Sequence, residues 1–297
     1  MVITQYKNGN ADITITDDGT REIEYEDVLK LEYPLNIDIR VSTRCSFGLN
    51  PKTGKAFCSF CHESATTNGA ECDYEELKGK LSGLPVGIEL AIGGNIITAE
   101  LIEFCEWATS QGYIVNLTVN QGHIATYQLH LDELISNGWI KGLGISYRRS
   151  LEKDNVPERF KRYEHTVLHV IAGIDDINDI LNYTSYRKVL VLGYKTFGFG
   201  IDYMDKYEPE VERNLKEWLW WIHKMFSVFD VVSFDNLALK QLNVKRFFAD
   251  DNWEVFNQNE HSFYIDAVNK ILAPSSRSSE KTNWDEYTLK DYFKKIK

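Results

Sequence analysis

Three cysteines set the first question. Cys45, Cys58 and Cys61 fall within seventeen positions of a 297-residue chain that has five cysteines in all. Thiolates gathered this closely bind soft metal centres or carry redox chemistry. Four thiolates normally hold a cubane iron–sulfur cluster, so three would leave one iron open to another molecule. His62 follows Cys61 directly and gives a second option, a Cys3His zinc set of the structural kind. Adjacent residues chelate one ion awkwardly, because both side chains must turn back to the same point. The other two cysteines extend neither set. Cys105 falls among Leu101, Phe104 and Trp107 and reads as a core thiol, and Cys72 precedes a helix cap and reads as inert.

Composition bounds the setting. The chain is 43% hydrophobic and 26% charged, ordinary values for a globular protein. No apolar run approaches the ~18 residues of a membrane span. The N-terminus, MVITQYKNGNAD, lacks the basic-then-apolar pattern of a signal peptide. A cytoplasmic protein with reduced thiols is therefore expected, where clustered cysteines mean metal or catalysis. A net charge of −11 argues against an extended nucleic-acid surface, which needs a basic face. Arg148, Arg149, Lys153, Arg159, Lys161 and Arg162 make one local basic patch in the sequence.

The elements that must position the cysteines alternate between strand and helix. Residues 12–26 read as a hairpin, with alternating Ile and Thr before Asp18-Gly19 and with Ile23 and Tyr25 after it. Residues 35–43 read as a strand leading straight into the cysteine loop. Asp73 and Glu76 then form a capping box for the next helix. Further strands are expected at 87–94, 114–120, 142–148, 166–173 and 187–195. Helices are expected at 98–112, 129–138, 175–183 and 212–229, with a polar, partly helical stretch up to Glu164. Residues 231–239 read as one more strand. Six βα units with right-handed crossovers predict an α/β fold, a partial (β/α)6 barrel. An N-terminal β-hairpin extension occupies 1–34, the barrel 35–240, and a C-terminal extension over 241–297 closes its open side. In that extension HSFYIDAVNKIL has no assignable pattern, and residues 284–297 read as an amphipathic helix.

At this point the sequence resembles a family. A cysteine loop after the first strand of a βα series, ending in Cys58-Ser59-Phe60-Cys61, resembles the radical S-adenosylmethionine (radical SAM) superfamily. Most of that family separates the first two cysteines by three residues. Here twelve intervene, an expanded C-x12-C-x2-C signature. Gly93-Gly94-Asn95 is similar to the family's G-G-E-type motif, which holds the amino group of the cofactor's methionine. Asn95 replaces the acid and offers a carbonyl acceptor without charge. Thr118-Val119-Asn120-Gln121-Gly122 is similar to the polar ending of the family's third strand. Ser146-Tyr147-Arg148 stands where the family contacts ribose and methionine carboxylate, and Val170-Ile171-Ala172-Gly173 resembles its strand near the adenine. The resemblance covers residues 35–240.

The resemblance implies a [4Fe–4S] cluster on Cys45, Cys58 and Cys61. It implies S-adenosyl-L-methionine on the open iron, contacted by Gly93, Gly94, Asn95, Asn120, Ser146 and Arg148. Reductive cleavage would give a 5′-deoxyadenosyl radical that abstracts hydrogen from a substrate. The implied partners are an electron donor such as flavodoxin or ferredoxin and a small-molecule or nucleotide substrate. A peptide docked by strand addition at the N-terminal hairpin is the second substrate class. The residues alone leave an alternative open, a non-catalytic zinc-binding (Cys3His) or cluster-binding interaction protein on the same scaffold. No residue is assigned as the catalytic one.

Other positions have weaker signals. Glu63 and Ser64 contact the cluster or cofactor, or simply fix the loop. His169 lies inside a strand and reads as a core histidine, whereas His123, after the third strand, is placed for a pocket role. Lys195 precedes T-F-G-F-G, a loop suited to close approach to a ligand. Trp218, Trp220 and Trp221 read as packing residues of a long helix. Tyr264 and Asp266 reach the site if the C-terminal extension closes the barrel. The G-L-N-P-K-T-G-K run in the cysteine loop lacks the following Ser or Thr and the helix of a phosphate-binding loop.

Overall fold

Alternation of branched apolar residues with small and polar ones builds the main element, a ten-stranded, mostly parallel sheet. The computed structural model describes residues 1–148, 156–183, 185–249, 253 and 261–297. Arg149 and Lys153 of the basic patch lie outside these residues, as does part of the stretch leading to Glu164. Three strands precede the main sheet, β1 (Val2–Asn8), β2 (Ala11–Thr16) and β3 (Arg21–Tyr25), paired antiparallel in that order. The expected hairpin is β2–β3. Its turn is tied by Asp18, which accepts the Thr20 N–H at 2.9 Å, and Gly19 supplies a φ of +89°. The added strand β1 was illegible because its alternation is polar and buries only Tyr6 and Asn8.

In the main sheet β4 (Asn36–Arg40) comes first, and β5 (Arg44–Leu49) lies outside both sheets in the cysteine loop. Then follow β6 (Glu89–Gly93), β7 (Ile114–Asn120), β8 (Gly142–Ser146), β9 (Thr166–Ile171), β10 (Lys188–Leu192) and β11 (Val231–Phe234), each parallel to its predecessor in the sheet. Residues 231–239 are thus only half strand. β12 (Ser262–Asp266) pairs parallel on the free side of β4, and β13 (Ile271–Ala273) and β14 (Thr282–Asn283) follow it antiparallel. The C-terminal segment therefore shares the main sheet. It extends the β4 side, and no pairing among the described residues joins it to β11.

The intervening helices are α1 (Tyr74–Leu81), α2 (Ala99–Ser110), α3 (Ile124–Ser136), α4 (Glu158–Lys161), α5 (Ile177–Leu181), α6 (Phe199–Trp221), α7 (Met225–Val228), α8 (Asn236–Gln241) and the terminal α9 (Leu289–Lys295). No helix among the described residues is long and apolar enough to cross a membrane. Asp73 and Thr98 cap α1 and α2 as the sequence indicates. α6 begins thirteen residues before the expected start at 212 and kinks at Tyr207, just ahead of Pro209, whose missing N–H interrupts the ladder. Trp218 is fully buried on α6, but Trp220 is 72% exposed and does not pack the helix.

Strands added in sequence order by crossovers of one hand place their helices on one face. That face is Ile37, Ile39, Leu90, Ile92, Val115, Leu117, Leu143, Ile145, Leu168 and Val189, all buried in one apolar core. The opposite, open face has Asp38, Ala91, Asn116 and Gly142 in one register row. Asn120, Ser146, His169 and Leu190 form another. Small and polar residues here leave room for a ligand beside the sheet. The three N-terminal strands cover the opposite strand ends from the cysteine loop: Arg21 pairs with Glu89, and Lys188 Nζ lies 3.4 Å from the Asp18 carbonyl oxygen.

His169 stands on this face, inside β9 and half-buried. A Cβ on Gly144 would stand 2.6 Å from both the His169 ring and Thr118 Oγ1, so Gly144 makes the space His169 occupies. Burial pushes the His169 pKa down to about 4. An unfolded chain takes this proton near pH 6.5, so the unfolded state binds more protons between 6.5 and 4, and stability falls as pH drops across that window. At about 1.36 kcal/mol per pKa unit the loss is about 3 kcal/mol at most. Urea midpoints measured from pH 7 to 4.5 should fall less steeply for His169→Gln than for the wild type. Equal slopes would remove His169 from this account.

Candidate functional site

The C-terminal ends of the parallel strands gather on one edge, and the cysteine loop starts there from β4. The loop folds on itself by short backbone bonds. Leu49 N–H donates to Ala65 O at 2.9 Å, and Thr66 N–H to Thr43 O at 3.0 Å. Asn50 and Lys55 bridge across the turn between Cys45 and Cys58. Phe57 and Cys58 both return to the Phe47 carbonyl, at 3.2 and 3.1 Å. The twelve-residue insert is therefore a hairpin whose tip, residues 51–55, is exposed. It brings Cys58 back beside the residue two places after Cys45. The hairpin thus takes up the twelve residues while returning the chain at Cys58 to the backbone of Phe47.

Each thiol lies in a setting that suits a ligand sulfur. Cys45 and Cys58 are buried and Cys61 is half-buried. Burial pushes the Cys45 and Cys61 thiols up, and the nearby sulfurs push them further. Backbone N–H groups of Phe47 and Gly48 oppose this at Cys45, and those of Ala65 and Glu63 oppose it at Cys61. Such donors hold charge on a sulfur and tune a bound cluster. Arg148 Nε donates to Cys58 Sγ at 3.3 Å, and its guanidinium lies 5.3 Å from the Phe60 ring centroid. Cys72 and Cys105 are buried thiols pushed up to about 12, inert as the sequence indicates.

The residues expected to contact a cofactor sit on neighbouring strand ends. Gly93 ends β6 with open space where a Cβ would be. Gly94 N–H donates to Thr118 O at 2.6 Å, and Asn95 follows, half-buried. Asn120 and Ser146 end β7 and β8 and pair directly in register. Asn120 is buried and its side chain accepts the Gly122 N–H at 3.0 Å, so it fixes the turn out of β7. Gln121 accepts the Arg148 N–H at 3.0 Å. Tyr127 links the two halves, because its hydroxyl takes the Ile97 N–H after β6 while also feeling the Cys45 thiol. His123 stacks on Phe47 at 4.4 Å between centroids, with Nε2 2.7 Å from Ser46 Oγ. Burial and the Arg148 charge push His123 down to about 4. Its Nδ1 is buried without a hydrogen-bond partner among the described residues, an orphaned polar atom.

A charged network on the β4–β12 side was not legible in the sequence. Arg40 Nε lies 3.1 Å from Glu63 Oε2, and Arg40 NH1 lies 3.2 Å from Asp266 Oδ2. Arg40 NH2 also donates to the Glu63 carbonyl at 2.6 Å. His62 Nε2 stands 2.9 Å from Glu63 Oε1 and 3.2 Å from Lys195 Nζ, and Tyr264 OH reaches Glu63 Oε2 at 3.5 Å. Burial pushes the Glu63 carboxyl up, but the His62 hydrogen bond and the charges of Arg40 and Lys195 outweigh it and bring the pKa down to about 2. Burial pushes His62 below its ordinary value. His62 Nε2 thus faces both the Glu63 carboxylate and the Lys195 ammonium, its two charged neighbours. No three His, Cys, Asp or Glu side chains among the described residues converge to hold one metal ion. The thiolates of a cubane bind separate irons and stand farther apart than that.

The T-F-G-F-G loop after β10 approaches the cysteine loop itself. Phe199 N–H donates to Cys61 O at 3.1 Å. Gly198 has a φ of +56°, and a Cβ there would lie 2.3 Å from the His62 carbonyl oxygen. Gly198→Ala is expected to cost about 2 kcal/mol or more through strain and clash. Gly54→Ala, at φ +66° in open space, is the control that adds strain without the clash. Urea midpoints of both variants check this, and an unaffected Gly198→Ala would refute the contact.

No family model matches the chain, and comparison with curated proteins finds no significant relative.

Proposed function

We propose that this chain is a radical S-adenosylmethionine enzyme on a partial (β/α)6 barrel, with Cys45, Cys58 and Cys61 as the ligands of a single [4Fe–4S] cluster. One observation supports the reading: the three thiols of one loop lie near enough to act on one another electrostatically, and each sulfur faces an N–H donor. The other two cysteines are buried in the apolar core. When bound, the cluster supplies an electron to S-adenosylmethionine, whose cleavage yields the radical that removes hydrogen from a substrate. An electron donor of the flavodoxin or ferredoxin class provides the reducing equivalent.

The chain's own residues bind and orient. The backbone of Gly93 and Gly94 and the Asn95 carbonyl receive the methionine amino group. Asn120 and Ser146 offer hydrogen bonds to the ribose, and Arg148 supplies positive charge near the methionine carboxylate and Cys58. Asn95 contributes no charge, so more of the amino-group affinity falls on the iron. The Arg40–Glu63–His62 network holds the loop's last turn, because Arg40 grips both the backbone and the side chain of Glu63.

Spectroscopy of the reconstituted protein tests the cofactor seat. Anaerobic loading should give about four irons and four sulfides per chain. Adding S-adenosylmethionine to the reduced cluster should change its electron paramagnetic resonance signal, since an open iron gains ligands. An unchanged signal would remove the open-iron assignment.

A further inference from the structure

A cavity of about 520 Å³ lies between the cysteine loop and the C-terminal strands. That is a small-molecule size, within the roughly 300–1,000 Å³ of ligand sites. None of Gly93, Gly94, Asn95, Asn120, Ser146 and Arg148 lines it. Its two walls differ in charge. One is Arg40 with Glu63, Asp266 and Tyr264, where the cation is already paired with two carboxylates. The other is the loop joining β13 to β14, which contributes Ser275, Ser278, Arg277 and Lys281.

That loop is set up as a donor surface. Arg277 and Lys281 have no carboxylate in ion-pair range among the described residues. Ser275 Oγ accepts the Arg277 N–H at 3.3 Å, and Ser278 Oγ accepts the Glu280 N–H at 3.0 Å. Each hydroxyl thus spends acceptor capacity on its own loop and keeps its proton to donate elsewhere. Two cations and two hydroxyl donors match the three terminal oxygens of a phosphate monoester better than the two of a carboxylate. The carboxylates on the facing wall repel an anion and orient the bound molecule, phosphate toward the loop and the remainder toward Arg40 and Tyr264.

We propose that this cavity binds a small molecule through a phosphate group held by Arg277, Lys281, Ser275 and Ser278. Its identity as the substrate rests on the radical reading above; the phosphate site itself does not.

The test uses the full-length protein without cluster loading. Inorganic phosphate and adenosine 5′-monophosphate are titrated by calorimetry, with acetate at equal ionic strength as the carboxylate control. Phosphate and the nucleotide should bind, with acetate weaker by roughly tenfold or more. The Arg277→Ala/Lys281→Ala double variant should lose roughly tenfold or more of phosphate affinity while its urea midpoint is retained. Lys216→Ala, an exposed lysine on α6, should bind as the wild type does. No phosphate binding at millimolar concentration, equal binding of acetate, or an unaffected double variant would overturn the proposal. Phosphate binding in a protein that never yields 5′-deoxyadenosine supports the site and sinks only the radical reading. Cofactor cleavage without phosphate binding does the reverse.

Discussion

Replacing Cys45, Cys58 or Cys61 by Ala, one at a time, is expected to lower iron–sulfur retention by ~100-fold or more, since even outer-shell substitutions at metal sites cost 10–100-fold. The expectation rests on there being no substitute. Cys72 and Cys105 are locked in the core with thiols pushed up to about 12. His62 is committed to Glu63. Iron and sulfide assays on the five single cysteine variants separate the two groups. Cys72→Ala and Cys105→Ala should load as the wild type does. Wild-type loading in any of the first three would refute the ligand set. Cys58→Ala has a further signature: Arg148 loses the sulfur it faces at 3.3 Å. Cofactor affinity should therefore fall even in protein that retains some iron.

Arg40→Met should destabilise the fold by about 3–5 kcal/mol, the range for removing one partner from a buried charge group. Arg40, Glu63 and Asp266 side chains are only 17%, 26% and 9% exposed, so removing the guanidinium strands two carboxylates away from water. The sign with pH follows from Glu63, whose carboxyl falls to about 2 in the fold. Its contribution is present above the ordinary carboxylate range near 4.5 and is lost as pH falls through about 2. The variant lacks the Arg40 share of that contribution and keeps the shares of His62 and Lys195, so the stability gap between the two proteins should narrow in part as pH drops below 4.5. Urea denaturation at pH 7 and pH 3.5 measures both effects. Adding Glu63→Gln and Asp266→Asn to Arg40→Met should restore part of the loss. A gap under 1 kcal/mol at pH 7 would mean that the network is solvated and does not hold the loop.

Much of the fold was legible because one face of the sheet obeys simple alternation. Ile37-x-Ile39, Leu90-x-Ile92 and Leu143-x-Ile145 announce strands wherever helices cover them. The same rule fails at β12. Phe263 and Ile265 turn inward to the core, but Tyr264 and Asp266 face the site, and the long polar flanks hid the short alternation. β1 was missed because its own alternation is polar and buries only Tyr6 and Asn8. α6 was misplaced because Pro209 and the glycines of 198–200 argue against a helix that tertiary contacts nonetheless sustain.

The candidate site divides similarly. The cysteines and the glycine and asparagine strand ends share short local motifs, and short motifs are readable. The Arg40–Glu63–His62–Lys195–Asp266 network joins residues from three strand ends and one loop, with up to 226 positions between partners. Only the parallel register brings those positions together, so no local pattern signals it. The close approach of the glycine loop after β10 is to the His62 backbone, and Phe197 and Gly198 of the same loop also line the cavity beside Arg40.

Formation of 5′-deoxyadenosine tests the central claim most directly. Full-length protein, reconstituted anaerobically with iron and sulfide and chemically reduced, is incubated with S-adenosylmethionine and the products are separated. The account predicts 5′-deoxyadenosine and methionine from the wild type and neither from Cys45→Ala. A wild-type protein that holds stoichiometric zinc, takes up no iron and releases no 5′-deoxyadenosine would contradict it.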